Sequence, residues 1–465
     1  MKTLNVLPLD WNSPDVEPDR TWVIEDSTNK NFNWVDGMFH SDIFKRADLD
    51  IKYNHIESID ELKNLSDNNL SYNIFVKAYQ FRHLIGTDAT DDNIVKELSF
   101  FHYYFNDKKY QFIIDDIKSG KCNLIFALLT EFSNECYYMY YDVFTELLKE
   151  YDIPENRVVV FDFMNNIEKI PVEYNSEVKF KYYNWLMVAW EHYVSLPKTQ
   201  SNFKNKDYIR DRYYITLNKS VTKQHRLFLM HFLWKYNLVD KGFVSFFHEK
   251  DNEEYRSQFF GNMTNNDDDV YFEILNSKEV QTFYNWLNDN PLWVDVSWEE
   301  FKKFSEHHEY HSSAPNEVFI DKTDNAYKNS YFNILTESYF IESQIFFNSQ
   351  KRLVDFSLNE RNILPINAYQ PFIVMNGQGH MKGLRDLGFK TFHPYIDESY
   401  DDVVNVHKRF NMIKQEINKL CSMSKQEIHD WYWSMEEIYK HNFNHLHNVF
   451  YPTQIKGFFD EFIFE

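Results

Sequence analysis

The chain has 465 residues, of which 43% are hydrophobic and 18% aromatic, enough apolar surface for two cores of ordinary domain size. Its 49 basic and 71 acidic residues leave a formal charge of -22, which argues against a large duplex-binding face or an anionic membrane surface, while a local basic groove stays compatible with it. Cys122, Cys136 and Cys421 have no metal-type spacing and form no disulfide framework, the start MKTLNVLPLDWNSPD lacks a signal-peptide core, and no apolar run reaches the ~18 residues that span a bilayer; a cytoplasmic protein is expected.

Residues 1–65 read as irregular, with Trp11, Trp22 and Trp34 among polar turns, strand-like pieces and no strong helix. A strand is predicted over 73–80, and a short helix over 113–119 that stops at Gly120. The run NLIFALL at 123–129 has the continuous apolar character of a buried parallel strand. An amphipathic helix follows over 140–151, with Val143, Phe144, Leu147 and Leu148 on one face, and a second apolar strand, RVVVF, at 157–161. Strand, helix and strand in succession make a βαβ unit, so the N-terminal half is predicted to be an open α/β domain. Residues 182–194 read as a buried helix, and the polar stretch 195–206, with Pro197, as a linker.

A second βαβ unit opens the C-terminal half: strand 212–217, helix 222–236 with Leu227, Met230, Leu233 and Trp234 at helical spacing, and strand 242–247. Further on come a helix at 279–287 and strands at 317–320 and 331–336, then a helical stretch at 360–368 and a strand, PFIVM, at 371–375. A helix at 380–387 closed by Gly388, a short strand at 390–392, and helices from 401 to 440 with a break at 422–424 complete the pattern. No repeat and no low-complexity segment is visible.

Four of the 10 glycines, Gly377, Gly379, Gly383 and Gly388, fall close together. Gly377 and Gly379 lie between a strand and a helix, where backbone N–H groups can approach a phosphate or ribose; a tight βα turn is the other reading. The spacing is not the dinucleotide fingerprint GxGxxG. The junction Asn218-Lys219-Ser220-Val221-Thr222-Lys223-Gln224-His225-Arg226 collects cations at a helix N-terminus, against the usual dipole preference. An anion seated among them would account for that placement; a solvated basic turn is the alternative. Glu131, at the carboxyl end of an N-terminal-half strand, is the candidate general base, with His83 a weaker one. Asp267-Asp268-Asp269, His307 with His311, and His441 with His445 have metal-compatible spacing, but each reads better as a solvated turn or helix face.

The stretch 214–246, YITLNKSVTKQHRLFLMHFLWKYNLVDKGFVSF, resembles a block of viral and microbial glycosyltransferase-like proteins of the GT-B type, distantly similar to fucosyltransferases. The donor-side block of that family is matched by Thr336-Glu337-Ser338, Asn359-Glu360-Arg361, Pro365, Gln370-Pro371-Phe372, the 377–379 turn and Leu387-Gly388-Phe389-Lys390-Thr391-Phe392. The resemblance implies two Rossmann-like domains facing across a cleft. Residues 1–200 would be the acceptor side, 207–400 the nucleotide-sugar side, and 401–465 helices packing back on the N-terminal domain. It implies that Asn218, Lys219 and Arg226 contact the donor diphosphate, that Glu360 binds the ribose, that Glu337 lines the donor site, and that Arg361 stands where the family has a phosphate-binding lysine. The family's basic residue before Pro365 is replaced by Leu364. The implied activity is transfer of a sugar from a nucleotide sugar to a glycan, protein or modified-nucleobase acceptor, without a cofactor or divalent metal. A viral DNA-modifying glycosyltransferase, active in host cytoplasm, is one subtype. A catalytically weak binding protein that kept the fold is the alternative.

Overall fold

In the computed structural model, residues 1–11, 44–45, 47–78, 84–86, 99–128, 133–162, 176–183, 205–218, 224–246, 248, 253–264, 275–292, 325–337, 345–347, 350–352, 358 and 360–465 are described. The chain divides into two compact units, Met1–His192 with His447–Glu465, and Tyr193–Leu446. Both are α/β and built on parallel sheets. The strands are β1 Lys2–Trp11, β2 Ile51–His55, β3 Tyr72–Ala78, β4 Cys122–Leu128, β5 Val158–Asp162, β6 Lys179–Tyr182, β7 Arg212–Asn218, β8 Gly242–Phe246, β9 Ser330–Thr336, β10 Ile345–Phe347, β11 Gln350–Arg352 and β12 Phe372–Met375. The helices, numbered here in chain order, are α1 Ile59–Asp67, α2 Phe100–Phe105, α3 Gln111–Ser119, α4 Ser133–Glu150, α5 Gln224–Lys235, α6 Glu253–Thr264, α7 Ser277–Asp289, α8 Glu360–Asn367, α9 His380–Asp386, α10 Val406–Ser422, α11 Lys425–Trp433, α12 Glu436–His445 and α13 Tyr451–Phe459.

The first unit holds a parallel sheet in the order β2-β1-β3-β4-β5-β6. Every residue of β4 and β5 is buried, as a strand covered on both faces requires. Alternate residues serve the two faces: Ile74, Val76, Leu124 and Phe126 join a core with Phe101, Ile117 and Phe144. Phe75 points the other way, 5.9 Å from the ring of Phe458 on α13. Phe458 also meets Phe161 at 4.7 Å and stacks on Tyr183 at 4.2 Å. The last residues are held by asparagines of the sheet. Asn73 donates to Ile463 O and accepts from Ile463 N, both at 2.9 Å, and Asn123 donates to Glu461 O at 3.0 Å. Buried asparagines are therefore tolerated in these strands because they satisfy the backbone of the terminal segment.

Two features here were not expected. Residues 59–67 are helical, with Ser58 accepting from Glu61 N at 3.2 Å and Glu61 reaching back to Glu57 N at 2.9 Å. β1 runs through Pro8, a residue usually excluded from inner strands. β2 pairs with residues 2–6 of β1, so among the described residues Pro8 has β3 alone as neighbour, and no ladder bond to β2 is lost at its missing N–H. α3 ends as predicted at Gly120, with φ 84 and Lys121 N donating to Asp116 O at 2.9 Å.

The second unit holds the parallel sheet β12-β9-β7-β8 and the antiparallel pair β10-β11. α5 is buried from His225 to Leu233, on every side. The strand predicted at 390–392 is absent. Both backbone groups of Lys390 are taken by the side chain of Asn442 on α12, at 2.8 Å each, which leaves no ladder to form. The predicted break at 422–424 is a capping box, in which Ser424 accepts from Glu427 N and Glu427 accepts from Ser424 N. Residues 401–465, expected to pack together on the N-terminal domain, divide instead: α10, α11 and α12 belong to the second unit and α13 to the first.

A candidate anion site at the ends of two parallel strands

Taken in chain order, the four strands of the second unit's parallel sheet lie second, first, third, fourth across it. The order reverses between β7 and β9, and in an open parallel sheet such a reversal opens a crevice at the carboxyl ends of the two strands. Those ends are Asn218 and Thr336. Thr336 Oγ1 donates to Asn218 Oδ1 at 2.5 Å, Asn218 Nδ2 donates to Thr216 Oγ1 at 3.2 Å, and Thr216 Oγ1 donates to Ile334 O at 2.9 Å. Asn218 is 0% exposed. Its amide braces one strand against the other, so the expected diphosphate contact through this side chain is replaced by a structural one.

Two guanidinium groups reach the same backbone oxygen. Arg226, in the first turn of α5, donates from Nη2 to Thr336 O at 3.4 Å. Arg361, the second residue of α8, donates from Nη1 to Thr336 O, with Thr336 Oγ1 at 3.4 Å. Arg226 is 4% exposed and Arg361 half-buried. Arg226, from the stretch 218–226, and Arg361, from the segment between Glu360 and Gly379, thus meet at Thr336.

Glu337 follows directly. Its N–H donates to Met375 O at 3.0 Å, its carbonyl accepts from His225 Nε2 at 2.8 Å, and its Oε1 accepts from Asn362 Nδ2 at 3.3 Å. It is 3% exposed. His225, expected among the cations facing a ligand, instead turns its ring onto this backbone carbonyl and is buried. Leu364, where the resemblance led to the expectation of a basic residue, packs with Ile215, Tyr327 and Ala368, an apolar seat that would not suit a cation.

The glycine loop differs most from expectation. Gly377 N donates to Asn376 Oδ1 at 2.7 Å and Gly379 N to Asp401 O at 2.9 Å. The first N–H groups of α9 are taken by the Asp401 carboxylate: Met381 N donates to Oδ1 and Lys382 N to Oδ2, each at 3.0 Å. An internal carboxylate therefore occupies the position expected for a phosphate. Burial pushes the Asp401 carboxyl above its ordinary range, and the two N–H donors pull against that. Gly379 has φ 86, a backbone that suits glycine, and it opens α9. Gly377 and Gly379 shape the turn, and the N–H groups of both are spent within the chain.

His380 is 1% exposed, with Nδ1 2.6 Å from Asn376 and Nε2 3.2 Å from the Asn362 amide. Burial lowers its pKa to about 3, so the ring is uncharged. Nothing in the sequence pattern marks Asn362, Thr216 or Asp401, because each works through a partner remote in the chain. Lys219, Glu131, His83, Asp267-Asp268-Asp269, His307 and His311 lie outside the described residues, as do the side chain of Glu360, the predicted strand 317–320, the linker 195–204 and most of the helix predicted over 182–194. His441 and His445 each donate from Nε2 to a carbonyl at the end of α9, Gly388 O at 3.1 Å and Leu387 O at 2.7 Å. Among the described residues no group of three His, Cys, Asp or Glu is placed to hold a metal, and no helix is long and apolar enough to cross a membrane.

No family model and no curated protein matches the chain. Among solved structures it is similar to an alpha,alpha-trehalose-phosphate synthase (UDP-forming) from Burkholderia vietnamiensis, at 10% sequence identity and a TM-score of 0.36, over 92% of this chain and 86% of that one. A score of that size lies below the level that defines a shared fold.

Proposed function

We propose that the protein is a glycosyltransferase of the GT-B type that holds the diphosphate of a nucleotide sugar at the carboxyl ends of β7 and β9. The observation that carries this reading is the convergence of Arg226 and Arg361 on Thr336 O at the point where strand order reverses. Departure of a nucleoside diphosphate builds negative charge on a phosphate oxygen, and fixed guanidinium groups in a dry setting stabilise that charge without a metal. Glu360, one residue before Arg361, is the candidate ribose partner, and Lys219 a further cation. Glu131 is the candidate base for the acceptor hydroxyl. The acceptor would be a glycan, a protein or a modified nucleobase. No resident cofactor enters this scheme.

The test is a thermal shift against UDP, GDP and ADP, with and without Mn²⁺, followed by a sugar-transfer and donor-hydrolysis assay. At a hundredfold excess over Kd a ligand stabilises by about 2.7 kcal/mol, a rise of about 5–10 °C for a unit of this size. Arg361→Met is expected to abolish the shift. A protein that responds to none of the three nucleotides is not this enzyme. Binding without turnover would favour the second reading, a binding protein that kept the fold. That reading has its own support in the Asp401 carboxylate, which fills the helix N-terminus a catalytic phosphate site would leave open.

A further inference from the structure

The amino end of the second unit's parallel sheet, opposite the end that carries Thr336, collects positive charge around one tyrosine. Tyr213 is the second residue of β7. Its ring is 9% exposed, and its hydroxyl donates to Met423 O at 2.7 Å, which fixes it beside the junction of α10 and α11. The Lys425 ammonium lies 4.3 Å from the centre of that ring and the Lys241 ammonium 5.3 Å. Arg212 opens β7, one residue before Tyr213. The hydrogen bonds of these three cations go to main-chain carbonyls. Lys425 donates to Arg210 O at 3.3 Å and Asp211 O at 2.6 Å, Lys241 to Cys421 O at 2.6 Å, and Arg212 to Asp240 O at 2.6 Å. None of the three forms an ion pair among the described residues.

Burial holds the Lys425 ammonium below its ordinary range; the charges of Arg212 and Lys241 push the same way, and Asp211 opposes them. Lys425 is also the first residue of α11, where the helix dipole favours an anion and disfavours a cation. An ammonium has three N–H groups, so one on Lys425 and two on Lys241 are left over by these carbonyls. Both lysines are half-buried and Arg212 is exposed, so a solute can reach them. We propose that Arg212, Lys241 and Lys425 form a binding site for a phosphate-type oxyanion at the amino ends of β7 and β8. The Tyr213 ring holds the two ammonium groups in place by attraction to its face. Neither Arg226 nor Arg361 takes part, so the proposal stands apart from the reading of the opposite end of the sheet.

The experiment is calorimetry on the full chain with inorganic phosphate and, separately, with methyl phosphate, at matched ionic strength. Both are expected to bind, more weakly as chloride is raised. Tighter binding of methyl phosphate assigns the site to a phosphate ester, and tighter binding of inorganic phosphate to the free ion. Lys241→Gln combined with Lys425→Gln is expected to raise Kd about tenfold, or about 1.4 kcal/mol. Binding of neither probe overturns the proposal. A signal that survives the loss of both lysines and disappears in Arg361→Met belongs to the other end of the sheet and overturns it as well. A second measurement needs no variant. Acetylation of the Lys241 and Lys425 amines in the parent chain, followed by peptide mass spectrometry, should slow severalfold when phosphate replaces chloride at equal ionic strength. Equal rates in the two salts would sink the proposal even where the double variant does not fold.

Discussion

Gly242 opens β8 opposite Tyr214, and a Cβ there would fall 2.3 Å from the tyrosine ring. The ring is 0% exposed and its hydroxyl donates to Leu238 O at 2.9 Å, so it has nowhere to retreat. Gly242→Ala is therefore expected to cost about 1–3 kcal/mol, read as a lower urea midpoint at unchanged slope. His380 gives a second prediction at this scale. Its folded pKa of about 3 lies below the ordinary 6.5, so between those values the unfolded chain binds a proton that the native state refuses. Stability is then complete above pH 6.5 and is lost as pH falls toward 3, by an amount on the order of a few kcal/mol. His231, also lowered by burial, adds with the same sign, while the raised carboxyls Glu398 and Asp401 pull the other way in acid. These are common to the parent and His380→Phe, so the difference between their stability curves over pH 4–7 isolates His380. A difference that is flat across that range would refute the assignment. Residue type made Arg226 legible, because cations are conspicuous at a strand exit in an acidic chain, whereas Arg361 was reached only through the family resemblance. It could not show that Asn218 and His225 face inward, since whether a polar side chain meets a ligand or a backbone carbonyl depends on neighbours more than a hundred positions away.

Among the elements, those whose pattern is local were readable: β4 and β5 from unbroken apolar runs, α3 and α9 from the glycines that close them. The failures have a common cause. The backbone at 390–392 has strand-like composition, but Asn442 supplies the hydrogen bonds that a neighbouring strand would otherwise provide. α12 serves the end of α9 in a similar way, with His441 and His445 bonding the carbonyls of Gly388 and Leu387 just past its last turn. Asn442→Ala leaves the N–H and C=O of Lys390 without that partner, and Asn442 is 3% exposed. A loss of about 1–3 kcal/mol is expected, measured as a drop in denaturant midpoint. A change within experimental error would mean that water replaces the amide at no cost.

At the scale of the whole molecule the chain leaves its first unit at His192 and returns to it at His447. Helical periodicity made the terminal helices visible but could not apportion them, because an amphipathic face announces that it will be buried without naming the core that buries it. The division has a consequence for folding. Tyr451, Ile455, Phe458, Phe459 and Phe462 are all at most 5% exposed, and burying each contributes about 1.5–3 kcal/mol. Asn73 and Asn123 would also lose the partners they have in the terminal segment. The sum is comparable to the whole stability of a typical domain, about 5–15 kcal/mol. Removing residues 447–465 is therefore expected to unfold the first unit while the second keeps its own core. Hydrogen exchange read by peptide would show residues 1–192 losing protection and 205–446 retaining it. On the ribosome the same dependence means that the first unit cannot close until the second has been synthesised, since its closing segment comes after it in the chain. Equal protection of both regions in the truncated chain would show that β1 to β6 and their helices form a sufficient core unaided.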